Sequence, residues 1–160
     1  MTINENTTQD IGITGVRIQP LAIFPTPDGA VLHMLRPGAA LFSDFGEGFG
    51  EIYFSEVLSG HVKAWKRHAH QTQHFAVPVG KIKIVLFDDR EHSTTRGVLR
   101  ELLLGRPDHY DLLRIPVNVW YGFTAIGDTS ALICNCADIP HDPKEGITLP
   151  ANDPSIPYRW

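Results

Sequence analysis

Ten short runs of β-forming residues follow one another between residues 16 and 137, alternating with turn signals, and this train limits the fold more than any other feature. The runs cover 16–18, 30–35, 51–57, 62–68, 73–77, 81–87, 97–104, 111–115, 119–125 and 131–137. Residues 81–84, Lys-Ile-Lys-Ile, alternate polar and apolar, which wets one face of that strand and buries the other. Pro27-Asp28-Gly29, Pro37-Gly38 and Gly127-Asp128 supply turns, because proline presets φ and glycine accepts positive φ. No helical period extends beyond two turns. Short strands at close spacing predict an all-β sandwich or barrel.

A chain of 160 residues suits one domain. Its polar first 12 residues predict a flexible N-terminal arm, leaving 13–160 as a single barrel domain. Residues 139–160 hold five of the 12 prolines and close with Tyr158 and Trp160, so an irregular wrap docked on the barrel is expected. The formal charge is −4 and the cations are scattered, which leaves no footprint for nucleic acid. Apolar stretches fall far short of the ~20 residues that span a bilayer. The first residues lack the charged and apolar regions of a signal peptide, so no membrane partner is expected. Cys134 and Cys136 lie two apart on one predicted strand, roughly 6–7 Å between Cα atoms, at or beyond disulfide reach. Reduced thiols and a cytoplasmic setting follow.

From Gly60 to Gly80 the sequence reads G-x5-K-x-H-x4-Q-x6-G. This is the spacing of the first motif of the cupins, G-x5-H-x-H-x4-E-x6-G, whose named side chains point into the barrel and usually hold a metal. His68 is retained, while Lys66 and Gln73 replace the other His and the Glu. The second cupin motif, P-x-G-x2-H, reads here Pro116-Val117-Asn118-Val119-Trp120-Tyr121, with Tyr121 in place of the last ligand. A lysine repels a divalent ion, and Gln and Tyr are weak ligands, so neither a metal at that position nor another cofactor is expected. His68, His70 and His74 form an off-register alternative, since imidazole suits Zn, Cu, Fe or Ni. Their plainer reading is a polar pocket lining or a dimer surface.

Longer stretches resemble the dTDP-4-dehydrorhamnose 3,5-epimerases, a family of the cupin superfamily. Gly15-Val16 with Pro20 and Asp28-Gly29 looks like that family's opening. Phe49 to Ser55, Val62-Lys63-Ala64-Trp65, Gly80 to Arg90 with Ser93-Thr94-Thr95-Arg96-Gly97, Ile115-Pro116, Gly122-Phe123 and residues 149–160 are similar to its later blocks, in order. The resemblance implies a cupin double-stranded β-helix, or jelly-roll, barrel. It also implies a homodimer exchanging an N-terminal strand, and a nucleotide-linked 4-keto-6-deoxyhexose as the small-molecule ligand. Hydrogens at C3 and C5 of such a sugar are acidic because the carbanion is delocalised onto the ketone. Epimerisation needs a base on one face, a donor on the other and a cation near the enolate. The family uses a His backed by an Asp, a Tyr and a Lys, positions that fall here at Lys66, Asp153, Cys134 and Gln73. Its phosphate-binding Arg falls at Asp28 and a sugar-contacting Glu at His33, while Lys63 and Arg36 occupy basic positions.

The expected catalytic set is therefore Lys66, His68, Tyr121 and Asp153, and the expected substrate-binding set Arg36, Lys63, Gln73 and Cys134. Lys66 is either a replacement base or the structural partner of Asp153. His68 is a base or a hydrogen-bonded core residue. Tyr121 is a proton donor or packing beside Trp120 and Phe123, and Cys134 is a weak acid or plain core. Lys63 meets a diphosphate; Arg36 contacts phosphate, a partner chain or a surface carboxylate. Trp65, Trp120 and Tyr53 stack on a ligand or pack at the rim. Three functions stay open: an epimerase or isomerase, a non-catalytic sugar- or nucleotide-sugar-binding cupin, and a metal-dependent cupin using the His cluster.

Overall fold

A computed structural model describes residue 4, residues 6–46 and residues 48–160. Its elements are β1 (Gln9–Asp10), β2 (Arg17–Pro20), β3 (Ile23–Thr26), β4 (Gly29–Leu32), a 3-10 helix (Ala40–Phe45), β5 (Glu51–Val57), β6 (Val62–His68), β7 (Gln73–Val79), β8 (Lys81–Phe87), β9 (Leu99–Gly105), β10 (Asp111–Ile115), β11 (Trp120–Ala125), β12 (Ala131–Ala137) and β13 (Gly146–Thr148). Two antiparallel sheets face each other, ordered β1-β2-β10-β7-β12-β5 and β13-β6-β11-β8-β9, with β3-β4 a separate hairpin. This is the cupin jelly roll. Five runs read from the sequence coincide with β5, β6, β8, β10 and β12. Three strands were not legible: β1 is two residues long, β3 contains Pro25, and β13 is three residues opening on a glycine. Of the arm expected over residues 1–12, residues 1–3 and 5 lie outside the described residues. Gln9 and Asp10 pair with Ile18 and Arg17, so this part is strand.

Alternation along the strands builds three apolar layers. Ile82, Ile84 and Leu86 of β8, Tyr121 and Phe123 of β11, and Ile133 of β12 point between the sheets into the main core. Each such side chain contributes about 1.5–3 kcal/mol by leaving water. On the outer face of β6, β8 and β11, Trp65, Val85, Phe87 and Trp120 meet Ile156, Tyr158 and Trp160 of the tail. Gly122 permits that docking, since a Cβ there would stand 2.5 Å from Ala64 Cβ and 2.7 Å from the Trp160 ring. The outer face of the other sheet buries Leu21, Leu41, Ala76, Tyr110 and Leu112.

Two local devices fix the barrel ends. Asn118, at the glycine position of the second cupin motif, has φ 61°, a left-handed conformation that asparagine tolerates better than most residues. Asp88 is fully buried and gathers the β8–β9 connection. Its carboxylate accepts from Arg90 Nε and Nη2 (both 2.8 Å), Ser93 Oγ (2.6 Å) and Thr95 Oγ1 (2.7 Å). Among the described residues no helix is long and apolar enough to cross a membrane.

Candidate active site

A cavity of about 400 Å³ opens between the sheets. Lys63 and Lys66 of β6 and Tyr121 and Phe123 of β11 form one wall, and Tyr53 and Ser55 of β5, Phe75 of β7 and Asn135 of β12 form the other. Lys66 and Tyr121 are register partners, so cation and hydroxyl arrive side by side. The lining joins apolar surface to a few convergent polar groups, the usual make-up of a small-molecule site.

Behind Tyr121 lies a buried relay. The Tyr121 hydroxyl is 3.1 Å from Nε2 of His68, and Nδ1 of His68 bonds to Oε1 of Glu145. Oε2 of Glu145 accepts from the backbone N–H groups of His70 (3.1 Å) and Gln71 (3.4 Å). Burial alone would raise the Glu145 carboxyl, but the bonds from His68 and His70 outweigh it and hold the group below its ordinary range. Burial pushes His68 below its usual value, Glu145 pulls it back in part, and the charge of Lys66 lowers it further. Burial raises Tyr121 well above an ordinary phenol, and the neighbouring Tyr53 and Glu145 add to the rise. The favoured state is a protonated Tyr121, a neutral His68 and an ionised Glu145. In that state His68 Nδ1–H donates to Glu145, and Tyr121 O–H donates to Nε2.

Three of the four expected catalytic residues meet here, and the fourth does not. Lys66 lines the cavity and no described carboxylate pairs with it. The expected Asp153 lies instead in the tail, where Oδ1 accepts from the Ser155 backbone N–H (2.9 Å) and Oγ (2.5 Å), away from the cavity lining. The carboxylate bonded to His68 is instead Glu145, 77 residues farther along the chain. No spacing rule links the two, so the sequence carried no signal for that pair.

The binding set divides further. Lys63 stands at the cavity rim, its Nζ donating to Ser55 Oγ (2.8 Å) and the Glu56 carbonyl (3.0 Å). Gln73 is buried one layer behind the lining and accepts from Asn135 Nδ2. Cys134 faces away: it pairs across the ladder with Ala76 of the outer cluster, while Ile133 and Asn135, one residue to either side, line the cavity. A strand's period of two makes this an all-or-none difference. Arg36 is exposed beyond β4 and is not part of the lining. Cys134 and Cys136 are free thiols. Tyr53 and Asn135, by contrast, belong to the lining.

The three histidines of the off-register metal reading diverge. His68 points inward to Tyr121, His70 is exposed, and His74 is buried on the outer face with Nε2 2.8 Å from Asp44 Oδ2. Among the described residues no three His, Cys, Asp or Glu side chains come together as a metal cluster.

A cavity holding a lysine, with a buried Tyr-His-Glu relay behind it, gives this jelly roll acid–base groups around a small-molecule site. The chain is 54% identical to a dTDP sugar isomerase of Desulfovibrio desulfuricans G20, over 93% of this chain and 92% of that one, with a TM-score of 0.88. Over 84 residues it is 42% identical to the "Probable low-salt glycan biosynthesis epimerase" of Haloferax volcanii, a match covering 52% of this chain and 53%, about half, of that protein. A dTDP-4-dehydrorhamnose 3,5-epimerase of Bacillus anthracis, 18% identical over 96% of this chain and 89% of that one, has the same fold with a TM-score of 0.79. No family model matches. The chain belongs to the family of that dTDP sugar isomerase and shares its fold with the dTDP-4-dehydrorhamnose 3,5-epimerases.

Proposed function

We propose that this protein is an epimerase or isomerase of a nucleotide-linked 4-keto-6-deoxyhexose, abstracting a proton beside the ketone. The observation that carries the reading is the Tyr121–His68–Glu145 relay opening on a cavity that also holds Lys66. As Tyr121 takes the C–H proton, its own proton passes to His68 Nε2, and the imidazolium so formed is held by Glu145. The electron pair left on carbon moves to the ketone oxygen, where Lys66 stabilises the enolate. A phenol with a raised pKa is a poor base alone; coupling it to His68 spreads the cost over two transfers. Lys63, at the rim and without a described carboxylate partner, suits the diphosphate.

The setting is the cytoplasm, in keeping with two free thiols, and the protein is a homodimer. Supporting the dimer, edge strand β5 exposes Ile52 at 54% and Phe54 at 64% on its outer face. The test of function is proton NMR of dTDP-4-keto-6-deoxyglucose with the protein in deuterated buffer. Loss of the C3 or C5 signal is expected. Line broadening with both signals intact would replace the enzyme reading with a binding protein.

A further inference from the structure

The relay accounts for proton removal and leaves open what returns a proton on the opposite face of the sugar. Tyr53 stands on β5, in the sheet facing the one that carries Tyr121, and both hydroxyls belong to the same cavity. The direction of the hydrogen on Tyr53 can be read from the groups behind it.

Asn135 is the register partner of Tyr53 on β12, and both side chains point inward. Its amide orientation is fixed, because Oδ1 accepts from the His74 backbone N–H at 3.1 Å, a group that can only donate. Nδ2 therefore faces the other way and donates one hydrogen to Gln73 Oε1. Gln73 Nε2 in turn donates to Gln71 Oε1 at 2.7 Å. Gln71 Nε2 ends the chain on the Ile139 carbonyl (2.7 Å) and Glu51 Oε1 (3.2 Å), both of which only accept. The far end requires the same sense as the near end, so three carboxamides are locked in one orientation. The second hydrogen of Asn135 Nδ2 remains for its register partner Tyr53, which shares the cavity lining; burial raises the Tyr53 phenol, and Asn135 acts against that rise, as a donor to the phenol oxygen would. An oxygen that accepts from Asn135 leaves Tyr53 its own hydrogen to offer to the cavity. Tyr121 does the reverse, spending its hydrogen on His68 and showing the cavity a lone pair.

We infer that Tyr53 is the proton donor that completes inversion, held in the donating sense by the Asn135–Gln73–Gln71 chain, with Tyr121 the acceptor on the opposite wall. This deepens the epimerase reading and rests on it. The balance is complete. The enolate electron pair forms the new C–H bond with the Tyr53 proton, the resulting phenolate keeps the Asn135 N–H bond, and the proton stored on His68 returns to Tyr53 through solvent once product leaves. Gln73, named from the sequence as a substrate contact, becomes a positioning residue.

Removal and return of the proton can be measured separately. With dTDP-4-keto-6-deoxyglucose in deuterated buffer, the unaltered protein should exchange the hydrogen and form inverted product. Tyr53→Phe should keep exchange near the original rate and lower inverted product by on the order of 10²-fold. Gln73→Met preserves volume but cuts the chain, and it should show the same split, which a merely structural role would not produce. Circular dichroism checks that both variants fold. Undiminished inversion by Tyr53→Phe would overturn this inference and leave the epimerase reading intact. Equal loss of exchange and inversion in both folded variants would overturn the division of labour. Absence of exchange in the unaltered protein would remove the epimerase reading itself.

Discussion

The rings of Tyr121 and His68 lie nearly parallel, 11° apart with centroids 6.1 Å from each other, and the Tyr121 oxygen is 3.1 Å from His68 Nε2. Phe75 holds the tyrosine edge-on from the opposite sheet at 5.4 Å. The pair is thus fixed by packing as well as by its hydrogen bond, and it needs little rearrangement to pass a proton.

Removing either member should cost the exchange reaction without costing the fold. Tyr121→Phe and His68→Gln are each expected to slow deuterium incorporation by about 10²–10⁴-fold, the usual worth of a positioned acid or base. The double variant should be little worse than either single one, because the two act as a unit. Additive losses would show that they do not form one relay.

Lys66→Met should leave ligand binding measurable while lowering exchange by about 10²–10³-fold, the typical loss when one oxyanion-stabilising donor is removed. Titration calorimetry with dTDP-4-keto-6-deoxyglucose and the NMR exchange assay separate the two effects. Binding and exchange lost together would instead make Lys66 an anchor for the ligand.

Acid should destabilise the protein in two stages. The unfolded chain protonates its histidine near pH 6.5, whereas buried His68 resists protonation, so stability falls as pH drops below about 6.5 toward the lower folded value. Glu145 is also depressed, so its contribution is full above about pH 4.3 and is lost as pH falls through the folded value. Urea midpoints measured from pH 7 downward should show both stages. Glu145→Gln should lose the lower one and keep the upper.

Asp88→Asn should be the most damaging change outside the cavity. It leaves Arg90 facing a neutral amide where a buried carboxylate had gathered an Arg, a Ser and a Thr. Breaking one side of a buried ion pair costs about 3–5 kcal/mol, or roughly 6–20 °C in Tm for a chain of this size. Calorimetry checks it, and a loss under 1 °C would contradict it.

Gly122→Ala tests the docked tail. A methyl group there meets both Ala64 and the Trp160 ring, an overpacking worth about 1–3 kcal/mol. Tryptophan emission should shift to the red as Trp160 moves into water, and an unchanged spectrum would show that the tail accommodates the methyl group.

The central strands were legible because their alternation is strong and their lengths ordinary. Residues 62–68, 81–87 and 131–137 matched β6, β8 and β12. The two cupin motifs brought Lys66, His68 and Tyr121 to one place because ladder register carries sequence spacing directly into space. Elsewhere the spacing carried less. Cys134 is one residue from Asn135, and on a strand that single step exchanges cavity for outer face. Gln73 points inward but stops a layer short, a depth that no one-dimensional pattern encodes. Asp153 satisfies its own turn, and Glu145 enters the site from an irregular connection ahead of the three-residue β13. Side chains delivered by loops depend on the whole trace of the chain, and neither hydrophobic period nor motif spacing reports it.

The two walls of the cavity answer differently to acidification. Carboxamides do not titrate near neutrality, so the chain behind Tyr53 keeps its sense wherever the barrel stays folded. His68 does titrate, and once charged it has no lone pair on Nε2 to receive the Tyr121 hydrogen, which must turn toward the cavity. Both tyrosines then present hydrogens, and nothing remains to accept one from carbon. Below the His68 transition both walls of the chamber offer donors and neither offers an acceptor, so the proposed chemistry should stop while binding of ligand oxygens persists.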